Sequence, residues 1–223
     1  MKNLLILLGL GVVGYMLYKF LKSETDFIED EKVKSNNSLT EKPEIQSTSN
    51  NQPSKEEEEP EISPYELEEI LEKTLAKYGI DVSNGDFEIL YNLGKKDFAN
   101  SLMKILTDAN LDLFEKKEKI FETLNNFQGN PDILNFQISL DKPVSRLSMR
   151  LDALRREYGI YGVEDPVELV NKLIPTIYMK GIEDAIEYLS LPLQFLNEAS
   201  TEEEISKALE DLKSRVENLL KET

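Results

Sequence analysis

The stretch SPYELEEILEKTLAKYG, residues 63–79, carries a complete set of helix instructions. Ser63 is an N-cap type, Pro64 suits the first helical position, and Glu66 stands where a capping box needs an acid. Leu67, Ile70, Leu71, Thr74, Leu75 and Tyr78 follow at helical spacing, and Gly79 supplies a stop. The punctuation recurs at Asp165-Pro166-Val167-Glu168 and as a capping box at Ser200-Thr201-Glu202-Glu203. One such start predicts a helix; three, with apolar faces between them, predict an all-α domain.

The intervening chain fits that class. Phe87 to Tyr91 reads as a short apolar piece ended by Gly94, followed by a helix bearing Phe98, Leu102, Ile105 and Leu106. After a turn at Asp108–Asp112, Leu113, Ile120, Phe121, Leu124 and Phe127 line another helix, which stops near Gly129. Ile133 to Leu140 partly alternates, but no second strand is visible to pair with it, so it reads as helix or irregular structure. Asp141–Pro143 predicts a helix start, leading into Val144, Leu147, Leu151, Leu154 and Tyr158 and closing at Gly159. Pro175 and Pro192 are expected to cut the next apolar run into short pieces. The last helix spaces Ile205, Leu209, Leu212, Val216 and Leu219 by 4, 3, 4 and 3. That coiled-coil-like seam is too short for a sustained coiled coil, so it is expected to pack onto its own domain, with weak homo-oligomerisation as its other use. Residues 63–223 therefore predict an irregular bundle of about seven or eight helices without internal repeats.

Upstream, the composition changes twice. Residues 23–62 hold few apolar side chains, and twelve acidic against four basic residues lie between Ser23 and Pro64. Such a segment cannot offset the entropy of ordering and is expected to be a disordered acidic linker. As a coil, forty residues would span roughly 35 Å. Residues 1–22, MKNLLILLGLGVVGYMLYKFLK, predict a transmembrane anchor: Leu4 to Tyr18 is free of charge, and 4–21 would span roughly 27 Å as a helix. Tyr15, Tyr18, Lys19 and Lys22 are placed for the membrane interface, and Gly11 and Gly14 for contact with another helix. More lysines follow the span than precede it, which points to a single-pass protein with a cytoplasmic C-terminal domain, or its equivalent in a host or virion membrane.

Composition narrows the chemistry. The chain has no Cys, His or Trp and a net charge of −17. Thiolate, imidazole and iron–sulfur chemistry have no residues to use. The charge disfavours nucleic acid as a partner. No phosphate-binding, nucleophile-elbow, dinucleotide or calcium-loop motif is found, and Asp81, Asn84 and Asp86 around Gly85 read as a turn. No catalytic residue, metal ligand or cofactor site is expected.

One anomaly remains. Four of the five arginines, Arg146, Arg150, Arg155 and Arg156, fall within eleven residues. On a helix, Arg146 and Arg150 would share a face and could clamp an anion, although internal carboxylates are the commoner partners. Tyr158 and Tyr161, beside Gly159 and Gly162, form a loop suited to capping the core or presenting aromatics. These features predict a membrane-anchored, non-enzymatic adaptor or scaffold, held in the bilayer by residues 4–21, whose domain recruits a protein. A virion or envelope structural protein is the alternative, and an enzyme using carboxylates with a divalent metal is the third reading.

Overall fold

The cap at Ser63 forms as its residue types require: its hydroxyl accepts the Glu66 N–H at 3.2 Å, and α1 (Pro64–Ala76) begins there. The computed structural model describes residues 61–223. The anchor, with Gly11, Gly14, Tyr15, Tyr18, Lys19 and Lys22, and the linker up to residue 60 lie outside the described residues.

After α1 come a 3-10 turn (Ser83–Gly85), α2 (Glu88–Leu106), α3 (Leu113–Asn126), a single turn α4 (Pro131–Leu134) and α5 (Met149–Glu157). Then follow α6 (Pro166–Tyr188), α7 (Ser190–Glu198) and α8 (Glu202–Glu222). The described residues are thus all-helical, with seven helices of nine residues or more and no strand. Only an isolated bridge, Ile62 with Val144, has β character.

Two helices organise the core. α2 crosses α6 at a pair of glycines whose backbones touch. A Cβ on Gly94 would lie 2.1 Å from the Tyr178 carbonyl oxygen, and one on Gly181 would lie 2.0 Å from the Tyr91 carbonyl oxygen. Gly94 therefore does not end a helix; α2 runs through it. A helical glycine costs about 1 kcal/mol against alanine, and the close approach of two buried helices offsets that cost. Phe98 and Phe127 meet edge to face at 5.3 Å, joining α2 to the end of α3.

α8 lies against α2, α3 and α7. Ile205, Leu209, Leu212, Val216 and Leu219 are all buried in the domain, so the apolar seam of α8 is covered within the chain. Its cap forms one residue later than the expected start, with Thr201 and Glu204 exchanging the two capping-box hydrogen bonds.

Three further expectations need correction. Pro175 does not break the run: α6 is continuous over 23 residues and contains it. Its missing N–H and ring clash cost about 3 kcal/mol. Leu173, Ile174, Ile177 and Tyr178 around it are fully buried, each worth about 1.5–3 kcal/mol, and burial prevails. Pro192 sits in the first turn of α7, where an intrahelical donor is not needed. Finally, residues 144–148 are not helical, and Ile62, placed in the linker by composition, is 7% exposed and packs into the core.

Candidate functional site

The segment leading to α5 is not helical, and its backbone finds partners outside any helix. Asn171 of α6 accepts the Ile138 N–H at 2.8 Å and donates to the Ile138 carbonyl at 3.0 Å, so one side chain takes the place of a neighbouring strand. Farther on, the Ile62 N–H donates to the Pro143 carbonyl at 2.9 Å, and the Ser145 N–H donates to the Ile62 carbonyl at 3.1 Å. A second parallel step would need an N–H from Pro64, which has none, so the ladder stops at one. Ser148 then turns the chain into α5. Its hydroxyl accepts the Leu151 N–H at 3.2 Å and donates to the Glu68 carboxylate of α1.

This route leaves a shallow groove of about 510 Å³, lined by residues 144–149 with Asp152, Glu164 and Pro166. Met149, at the start of α5, is 91% exposed. Past the other end of α5, Gly159 and Gly162 take left-handed backbone angles and Tyr161 between them is 73% exposed. Tyr158 is half-buried and packs on the core, so the two tyrosines of this loop divide the roles considered for them.

The four arginines separate into distinct environments. Arg146 lies in the non-helical segment before α5 and Arg150 within α5, so they share no helix face, and the expected two-arginine clamp is not formed. The bridge to Ile62 and the Ser148 cap, neither evident from spacing, delay the helix start past Arg146. Arg155 and Arg156 both pair with Asp152, Arg155 at 2.7 Å. Arg150 lies over Gly85, where a Cβ would fall 1.8 Å from its Nη1, and that glycine has φ +68°. Gly85 closes the Asp81–Asp86 turn, which Asp81 stabilises by accepting the Ser83 N–H at 3.0 Å. Arg146 differs from the other three. It is exposed, lines the groove, and makes no hydrogen bond or ion pair with any other described residue.

No protein-family model, curated protein or solved structure matches the chain. The site is therefore read from its own chemistry.

Two polar clasps elsewhere tie the core helices together. The Tyr91 hydroxyl of α2 donates to Asp184 of α6 at 2.8 Å, Lys180 pairs with the same carboxylate at 2.9 Å, and Lys95 lies 4.4 Å over the Tyr91 ring. Desolvation pushes the Asp184 carboxyl up, but the hydrogen bonds from Lys180 and Tyr91 and the charges of Lys180 and Lys95 hold it below its ordinary value. Burial, assisted by Glu157 and other negative neighbours, pushes the Tyr158 hydroxyl up to about 12. In the second clasp, fully buried Tyr178 donates to Asp97 at 2.8 Å and accepts the Asn130 N–H at 2.7 Å. Burial and the Asp97 contact raise its pKa well above the ordinary tyrosine value.

Both clasps join helix to helix or helix to loop, and their polar atoms are directed at one another. Among the described residues no three acidic side chains converge to hold a metal ion. Sequence reasoning located Arg146 but missed Met149 and the Glu68–Ser148 contact. Ser148 is followed by Leu151 where a capping-box acid would stand, so the start of α5 carried only half a signal.

Proposed function

We propose that this chain is a membrane-tethered, non-enzymatic adaptor, anchored by residues 4–21 and recruiting a protein partner through the groove beside α5. The observation supporting this reading is Arg146, a cation without an ion pair among the described residues, in a chain of net charge −17. In so acidic a protein, intramolecular carboxylates are abundant, so an arginine left exposed beside an apolar Met149 suits an external acidic ligand. Tethering adds to the affinity by raising the local concentration of domain and partner at the membrane.

Two measurements on the full-length chain test the reading. Carbonate and high-salt washing should leave the chain in the membrane pellet. Proximity labelling from the C-terminal domain should mark a protein whose labelling falls in a chain carrying Arg146→Glu and Met149→Glu. Release of the intact chain by the wash would remove the anchor, and an unchanged labelling pattern would remove the groove as the recruiting surface.

A further inference from the structure

α7 is apolar on two sides, and a helix resting on a domain needs only one apolar face. Its sequence, SLPLQFLNE, buries Pro192, Leu193 and Leu196 in the core. Leu191 and Phe195, one turn apart on another face, are 46% and 51% exposed. Tyr188, a turn earlier at the end of α6, is 41% exposed. Pro192 has no N–H to offer the Tyr188 carbonyl, which divides α6 from α7 at Leu189. Helical hydrogen bonds flank that joint, from the Leu189 N–H to the Ala185 carbonyl and from the Leu193 N–H to the Leu189 carbonyl, each 3.1 Å. The three exposed side chains thus recur at intervals of 3 and 4, the spacing of a seam that receives a second helix. Among the described residues no other stretch of eight holds more than one exposed large hydrophobic. Single ones are ordinary on a protein surface; a row of three marks a contact face.

The charge of the surrounding chain identifies what covers it. From Gly181 to Leu212, through the end of α6, all of α7 and the first half of α8, there are nine carboxylates and one cation, Lys207 on α8. Glu187, four residues before Leu191, and Glu198, three after Phe195, are both exposed, and the Gln194 amide donates to the Glu198 carboxylate at 3.1 Å. Lys180 and Lys117, which reach this segment from α6 and α3, are engaged. The first pairs with Asp184 at 2.9 Å, and the second donates to the Asn197 and Ala199 carbonyls. A second copy would set the same carboxylates against these, and anionic lipid would be repelled likewise. We propose that Tyr188, Leu191 and Phe195 form a docking seam for a basic amphipathic helix of a partner protein. Its apolar residues at i, i+3 or i+4, and i+7 pack on the seam, and its flanking Lys or Arg side chains pair with Glu187 and Glu198. This inference goes beyond the recruitment reading and makes no use of the groove beside α5.

The test is selection of a randomised eighteen-residue peptide library, displayed on phage, against the full-length chain in neutral detergent, with a chain carrying Leu191→Ser and Phe195→Ser as counter-selection. The expected winners have an excess of Lys or Arg and apolar residues at helical spacing, and they gain helical circular dichroism on binding. The serine pair should weaken them by about tenfold or more. Glu187→Gln with Glu198→Gln should weaken them by about threefold. Glutamine in place of the winners' cations should do the same, a change made on the peptide that leaves the chain's fold untouched. Arg146→Gln should leave their affinity within about twofold, because distant sites act independently. Winners without a cationic excess, winners of alternating rather than helical spacing, winners indifferent to the serine pair, or no enriched sequence at all would each overturn the proposal. Self-association of the chain that the serine pair abolishes would assign the face to a second copy and overturn it as well. Cellular labelling unaffected by Arg146→Glu and Met149→Glu, beside peptide winners as described, would remove the groove and leave this seam standing.

Discussion

At the residue scale, the most demanding position is Tyr178. It is fully buried, and its hydroxyl serves a side chain and a backbone amide together. Tyr178→Phe keeps the packing but leaves Asp97 and the Asn130 N–H without that partner, a loss of about 1–3 kcal/mol, to be read from urea unfolding midpoints. Tyr178 and the half-buried Tyr158 also set an alkaline limit. Tyr158 titrates near 12 in the folded chain and from an ordinary value of 10.0 when unfolded, and Tyr178 is shifted in the same direction. Between those values the folded state holds protons that the unfolded state has lost, so stability falls as pH rises. Below about pH 10 both states are protonated and this contribution is flat. Melting temperatures across pH 9–12, followed with tyrosinate absorbance, should show the decline, with a shallower one in Tyr178→Phe.

At the element scale, the crossing of α2 and α6 depends on two missing methyl groups. A Cβ at Gly94 or Gly181 would meet a backbone carbonyl rather than a movable side-chain tip. Gly94→Ala or Gly181→Ala should therefore destabilise the domain by about 3 kcal/mol despite the better helix propensity of alanine. Calorimetric melting of both variants checks this, and unchanged stability would mean the helices are not so closely seated. Helix ends offer a milder case. Lys117 of α3 donates to the Asn197 and Ala199 carbonyls at 3.1 and 2.6 Å, where α7 ends, and desolvation lowers its pKa. Lys117→Met should cost about 1 kcal/mol, since the cation stabilises the negative end of that helix, measurable by the same calorimetry.

At the scale of the whole molecule, charge rather than packing sets the response to solvent. A net charge of −17 makes the compact state repel itself. The ion pairs Glu69–Lys73, Glu168–Lys172 and Asp211–Arg215 are exposed helix-surface pairs. Each contributes about 0.5 kcal/mol or less, and salt weakens them only modestly. Screening of the long-range repulsion should prevail. Raising sodium chloride from about 0.02 M to about 0.5 M should raise the melting temperature by a few degrees. A fall would show that local pairs outweigh the net charge.

The helical class, the caps at Ser63 and Asp165 and the apolar face of α8 were legible in the chain because they depend on neighbours within four residues. Gly94 and Pro175 misled because their local preference is to end helices, and contacts more than eighty residues away for Gly94, together with deep burial around Pro175, reverse it. The groove was legible only as a cluster of arginines. Which one stands apart depended on Ile62 reaching across to Val144, on Asn171 standing in for a strand at Ile138, and on Asp152 holding two of the four. Periodicity records what a residue does within its own helix turn. Pairing between segments distant in sequence leaves no periodic trace, so the site took shape only when the chain closed on itself.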